Sequence, residues 1–206
     1  MPFSVVLNGS DIQRKDRDYS VRERYGIDKN DFLFVFVGNV NPNKNQRQVV
    51  EALALMPSEI RKNVKVLFVG GGDFDSLQEY ISLRGLSENM IVAGPVDKKE
   101  VHNCYIDADA TILTSLSEGF GLSIVEGYVY GKPAVTFCDL PAFRDICNSD
   151  SAVGVGERSD EALMQGMTEC MRKTWDSEKI EAFATNFGYD SMKRGYLNLY
   201  KEILGK

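Results

Sequence analysis

Phe32-Leu33-Phe34-Val35-Phe36-Val37-Gly38 is an unbroken apolar run closed by a glycine. A run without polar alternation marks a strand buried on both faces of a parallel sheet, so the first strand is placed at Asp31 to Val37. A polar loop of Asn, Pro and Lys follows. Beyond it, Gln46 to Leu55 has apolar residues three and four apart and stops near Pro57, which predicts a helix. The alternation then repeats, with strands at Val64–Val69, Met90–Ala93, Ala110–Leu113, Ala134–Phe137 and Ala152–Val155. Helices are expected at Asp75–Arg84, Lys98–Ala108 and Leu122–Tyr130, and from about Asp160 to the end. Strand and helix alternating throughout specify an α/β, doubly wound, six-stranded parallel sheet of Rossmann-like type. Right-handed crossovers favour the strand order 3-2-1-4-5-6, with its switch point between strands one and four. The loops facing that crevice are Gly38 to Lys44 and Thr114 to Gly121.

Composition bounds what such a sheet could serve. The chain has 206 residues, 43% hydrophobic and 26% charged, enough to bury one substantial core. No apolar run approaches the roughly 20 residues of a membrane-spanning helix. The opening Met1-Pro2-Phe3-Ser4 shows neither a basic leader nor a long apolar stretch, so a cytoplasmic location is expected. With 24 Lys+Arg against 30 Asp+Glu, the net charge of -6 disfavours nucleic acid as a partner. An anionic ligand must therefore be held locally. Cys104, Cys138, Cys147 and Cys170 form no C-x-x-C pair and His102 is the only histidine, which leaves little material for zinc or a Cys-His catalyst. Four reduced thiols are expected, and a surface position for His102.

The switch-point loops carry the distinctive chemistry. Ser115-Leu116-Ser117-Glu118-Gly119-Phe120-Gly121 leads into the helix beginning Leu122-Ser123-Ile124-Val125-Glu126. Glycines admit a ligand close to the backbone, and the free N–H groups at a helix start attract phosphate. Glu126, one turn in, could reach the hydroxyls of a ribose, and Glu118 would flank the other side. The competing reading is structural: Ser123 and Glu126 have capping-box spacing, and Leu122, Val125 and Val129 would form an ordinary buried stripe. Lys44 offers an ammonium to the same diphosphate, or is simply a solvated lysine.

Taken together, these residues resemble glycosyltransferase family 4, retaining nucleotide-sugar enzymes of GT-B architecture. The centre of the resemblance is Ser117 through Val135, which looks like the family's E-x7-E block with its E-G-F-G core and G-K-P turn. Phe36-Val37-Gly38 through Lys44-Asn45, Leu67 through Gly72, Ala93-Gly94-Pro95-Val96 and Ala108-Asp109-Ala110 are similar in the same order, so the likeness runs from about Asp31 to Lys173. It implies that Glu118 contacts donor-sugar hydroxyls, Glu126 the ribose, and the amides of Gly119, Phe120, Gly121, Leu122, Ser123 and Ile124 the sugar and phosphate. Lys44 would neutralise the leaving diphosphate beside Gly38, and the base would pair with backbone near Val96. Asn39 stands where the family usually carries arginine. No metal or other cofactor is implied.

The resemblance also implies an organisation. Residues 1–20 read as an interdomain segment, with Asn8-Gly9-Ser10-Asp11 similar to the start of the family's second domain. Residues 21–188 form the donor-binding domain, and 189–206 a closing helix whose face at Tyr196, Leu199, Tyr200 and Leu204 would meet the first domain. That acceptor-binding domain is missing here and would be supplied in cis or in trans. Any peripheral membrane association would belong to it. The alternatives are a non-catalytic binding or regulatory subunit and a nucleotide-sugar epimerase of the same architecture. Asp107-Ala108-Asp109 spells a metal-binding D-x-D, but it falls at the sheet edge opposite the crevice. Gly70-Gly71-Gly72 lacks dinucleotide-fingerprint spacing.

Overall fold

In the computed structural model, residues 6–10 and 13–205 are described. Six strands, β1 (Phe32–Val37), β2 (Val64–Val69), β3 (Met90–Gly94), β4 (Ala110–Leu113), β5 (Ala134–Phe137) and β6 (Ala152–Val155), form one sheet. Its order is β3-β2-β1-β4-β5-β6 and every pairing is parallel. The helices are α1 (Val21–Tyr25), α2 (Gln46–Leu55), α3 (Ser58–Arg61), α4 (Phe74–Leu83), α5 (Val101–Asp107), α6 (Leu122–Tyr128), α7 (Pro141–Ile146), α8 (Asp160–Arg172), α9 (Ser177–Ala184) and α10 (Tyr189–Leu204). A 3₁₀ turn, Thr185–Phe187, joins the last two.

The apolar run of β1 is buried as its composition requires. Alternate side chains serve opposite faces: Phe34 and Phe36 join Val66, Phe68, Val49, Leu53 and Leu77 in the larger core. Leu33 and Val35 join Leu67, Val69, Val21 and Cys104 in the smaller one. β1 sits between β2 and β4, with Phe34 opposite Ala110 and Val35 opposite Thr111, so the strand order reverses there as expected.

Some boundaries differ from the sequence reading. α5 starts at Val101 and not Lys98, because the Asp97 carboxylate accepts the Lys99 N–H (2.9 Å) and holds a turn. α6 ends at Tyr128, where Gly131 turns the chain with φ of 68°. α1, α3 and α7 were not foreseen, since a helix of one or two turns is too short to display a period.

Part of the expected interdomain segment, residues 1–5 and 11–12, lies outside the described residues, as does Lys206 of the closing helix. Residues 13–20 are strapped onto the domain. Lys15 N–H donates to the Tyr130 hydroxyl (3.2 Å), Asp18 N–H to Asn103 Oδ1 (2.8 Å), and Arg14 pairs with Glu181 (2.6 Å). His102 is buried, contrary to expectation, with Nε2 3.0 Å from the Asp16 carbonyl. The same strap explains the D-x-D sequence. Asp107 pairs with Arg17 and accepts from Val21 N–H (2.6 Å), Arg22 N–H (3.1 Å) and the Ser20 hydroxyl (3.2 Å). Asp109 accepts from Leu33 N–H and from Arg22, both at 2.7 Å. These carboxylates anchor α1 and β1 to β4. Among the described residues, no cluster of His, Cys, Asp and Glu could hold a metal, and no helix is long and apolar enough to cross a membrane.

α6 lies close against β4 because Gly127 has no side chain: a Cβ there would sit 2.4 Å from Thr111 Cγ2. Thr111 cannot yield freely, being buried with its hydroxyl 3.3 Å from the Pro133 carbonyl. Gly127→Ala is therefore expected to destabilise the domain by about 1–3 kcal/mol, as overpacking does. Thr111→Ser, which removes the clashing methyl and keeps the hydroxyl, should recover most of that loss. Urea melts of both single variants and the double variant test it; additive effects would refute the contact.

Candidate functional site

β1 and β4 are neighbours, so the loops leaving their C-terminal ends meet. Leu116 N–H donates to the Asn43 carbonyl (2.7 Å), and the Asn43 side-chain amide donates to the Ser117 carbonyl (3.0 Å). The buried Thr114 hydroxyl lies within 3.0 Å of the Lys44 carbonyl and 2.9 Å of the Asn45 carbonyl. Between the joined loops and the start of α6 lies a cleft of about 450 Å³, lined by Lys44, Glu118, Gly119, Phe120, Gly121, Leu122, Ser123 and Glu126, with Asn8 and Val37. A larger groove, about 680 Å³, runs between Pro57 at the end of α2 and Arg172 at the end of α8. Those helix ends lie at the N-terminal edge of the strands. In open parallel sheets ligands bind at the opposite, carboxyl edge, at the point where the strand order reverses, and the smaller cleft lies there between the segments leaving β1 and β4.

Gly121 starts α6 at φ 89°, and a Cβ there would meet Ile146 Cδ1 at 2.9 Å and Phe143 Cε1 at 3.0 Å. Glycine is required on both counts. No side chain caps the helix, so the capping-box reading of Ser123 and Glu126 fails. The N–H groups of Leu122 and Ser123, residues that line the cleft, thus take no partner from a capping side chain. The buried-stripe reading holds for Val125 and fails for Leu122, which is 46% exposed.

Ile124 drops out of the amide set expected from the sequence. Its N–H donates to the Gly121 carbonyl (3.0 Å) and its side chain is fully buried. Asn39 also points elsewhere, accepting the Gly71 N–H at 3.1 Å through Oδ1. Gly38 lies behind Lys44, whose stem would be 3.5 Å from a Cβ at that position. Val96 does not line the cleft; it packs against the smaller core, in the loop after β3 at the same sheet edge.

The charged groups in the cleft are partnered. Lys44 Nζ pairs with Glu118 Oε1, which also accepts from the Ser115 hydroxyl at 2.8 Å. Glu126 Oε2 accepts from the Tyr105 hydroxyl at 2.6 Å. Burial raises the Glu126 carboxyl above its ordinary range, with Tyr105 and Lys98 acting in the opposite sense. Three of the four cysteines are thiols near neutrality: burial pushes Cys104 and Cys170 up to about 12 and Cys147 to about 11.

Several contributors escaped the sequence reading. Arg158 donates to the Ser115 carbonyl (2.8 Å) and Thr114 carbonyl (3.3 Å), pairs with Asp139 (2.6 Å), and lies 4.5 Å over the Phe137 ring. It fixes the loop that carries Glu118 and holds the Asp139 carboxyl below its usual range. Tyr105, Ser115, Thr114 and Asn43 belong to the same framework. None has a sequence signal of its own, because each acquires its partner only when distant elements pack.

The glycosyl transferases group 1 family model matches residues 19–187. The D-inositol 3-phosphate glycosyltransferase of Frankia alni is 26% identical over 216 residues, covering 97% of this chain and 53% of that protein. The O-antigen chain mannosyltransferase C of Escherichia coli is 25% identical over 217 residues, covering 99% and 54%. The chain thus spans about half the length of these relatives. In fold it is similar to the Anabaena protein HepE, crystallised with UDP and glucose, at a TM-score of 0.73 and 21% identity over 88% of this chain and 51% of that one. With its single six-stranded sheet, long terminal helix and E-x7-E block on the cleft, this chain belongs to the group 1 family of glycosyltransferases.

Proposed function

We propose that this chain is the donor-binding domain of a retaining glycosyltransferase that takes a UDP- or GDP-linked sugar. The observation carrying this reading is the convergence of a lysine, two carboxylates and unpaired helix-start amides on one cleft at the switch point. The diphosphate would lie against the amides of Gly119 to Ser123, where the helix dipole favours negative charge. Glu126 would receive ribose hydroxyls and Glu118 the sugar hydroxyls. The UDP and glucose held by HepE, a protein of the same fold, fit such an arrangement.

Transfer with retention would proceed by same-face attack, the departing diphosphate accepting the proton of the acceptor hydroxyl. Lys44 and the α6 amides would stabilise the charge gathering on the leaving group, and preorganised donors are most effective at that point. No metal is assigned a role. Glu118 is occupied by Lys44 and Ser115 and is not assigned as nucleophile. The acceptor would come from a separate domain, in cis or in trans. α10 suits contact with it: none of its residues is buried, and Tyr196, Leu197, Tyr200, Ile203 and Leu204 are exposed. Asn39 favours a second reading, a nucleotide-sugar-binding subunit without catalytic power, because its side chain is committed to Gly71 and supplies no cation.

Calorimetric titration with UDP- and GDP-sugars should show binding of at least one, lost in Glu126→Ala. In Lys44→Ala the affinity should fall by about 1.5–3 kcal/mol, roughly 10- to 150-fold, as expected for a lost charge-assisted bond. Absence of binding by every nucleotide sugar would refute the donor site.

The ion pair generates a less obvious expectation. Before donor binding Glu118 holds Lys44, and a diphosphate must take the lysine over, which releases the carboxylate for sugar hydroxyls. Glu118→Gln should therefore tighten binding of free UDP or GDP by roughly 3-fold, the scale of a partly exposed ion pair. The gain in affinity from an attached sugar should shrink in the same variant. Unchanged affinity for the free nucleotide would show that the pair does not compete.

A further inference from the structure

We propose that Tyr105 is a positioning residue: its hydroxyl holds Glu126 Oε2 from behind so that Oε1 is presented to the hydroxyls of a ribose in the cleft. This rests on the donor-site reading above and names a residue that the motifs of the sequence do not contain.

Tyr105 lies on α5 and is 2% exposed, while Glu126 lies on α6 and lines the cleft. The hydroxyl-to-carboxylate distance is 2.6 Å. Direction is unambiguous, since burial and the nearby carboxylate raise the Tyr105 pKa well above its ordinary value and keep the phenol a donor. The ring is itself fixed. It stacks on Tyr130, centroids 6.1 Å apart and planes 13° from parallel, and the Tyr130 hydroxyl accepts the Lys15 N–H at 3.2 Å. Among the described residues, Glu126 Oε1 accepts no hydrogen bond from the protein. One oxygen is anchored and the other faces the ligand space.

A glutamate side chain has three rotatable bonds, and ordering it on binding costs affinity that a pre-formed anchor removes. The anchor also favours the ionised, accepting state of a carboxyl whose pKa burial raises. The charged and titratable groups facing that carboxyl are Tyr105 from α5, Lys98 from the loop before it and Tyr130 from the turn after α6, with Lys44 and Glu118 lining the same cleft. A residue that merely filled space behind α6 would do none of this.

Tyr105→Phe removes the hydroxyl and keeps the ring. Dissociation constants are measured for UDP and GDP and for their 2′,3′-dideoxy counterparts, on the full chain, with thermal melts confirming the fold. Wild type should prefer the ribonucleotide. In Tyr105→Phe that preference should shrink by roughly 3- to 10-fold, the range of one hydrogen bond, with dideoxynucleotide affinity unchanged. The acid limb of ribonucleotide binding should move to higher pH in Tyr105→Phe, because a bond favouring the carboxylate is gone. An unchanged preference, or an equal loss for ribo- and dideoxynucleotides, would reduce Tyr105 to packing and overturn the proposal while leaving the donor site standing. Failure of wild type to bind any of these nucleotides would overturn both.

Discussion

Everything in the candidate site depends on β1 pairing with β4. β1 leads to β2 on one side and is flanked by β4 on the other, so the chains leaving β1 and β4 turn away from one another and open a crevice. What keeps that crevice a defined shape is a small set of polar ties. The Thr114 hydroxyl reaches two carbonyls of the first loop, Asn43 bonds the second loop through backbone and side chain, and Arg158 braces it from the β6 side. Thr114 and Ser115 are fully buried, so leaving their polar groups unpaired would be costly. The ties make the lining of the cleft continuous with the core.

The cleft carries two negative side chains, and each is offset by a neighbour. Glu118 is balanced by Lys44, and Glu126 is held from behind by the Tyr105 hydroxyl. The dipolar start of α6 then sets the local potential more than the net charge of the chain, -6, would suggest. Whole-chain charge says little about a pocket a few ångströms across.

The sheet was legible because its information is local. An unbroken apolar run, a glycine after it and a periodic helix are contiguous patterns, and the strand order followed from crossover handedness. The cleft was legible where it is made of backbone. Glu118 to Ser123 form a contiguous loop and helix start, and Gly121 must be glycine at φ 89°. What stayed hidden depends on pairs far apart in sequence. His102 looked like a surface residue because the strap at residues 13–20 that covers it cannot be seen in its own neighbourhood. The Ile124 amide looked available because the tightness of the first turn, which returns it to Gly121, is a detail of geometry and not of residue type. Arg158 gave no sign at all; its partners are two carbonyls, a distant carboxylate and a ring.

Lys44 and Glu118 are separated by 74 residues, and the intervening chain builds the β2–β3 side of the sheet. No growing chain that ends before α6 holds both walls of the cleft. Because distant pairings repay loop-closure entropy late, the pocket closes only as the two sides of the sheet dock. A ligand seated there recognises neither half alone and adds its binding energy to the cooperativity of the whole domain. Occupancy of the cleft is thus a count of completely folded molecules.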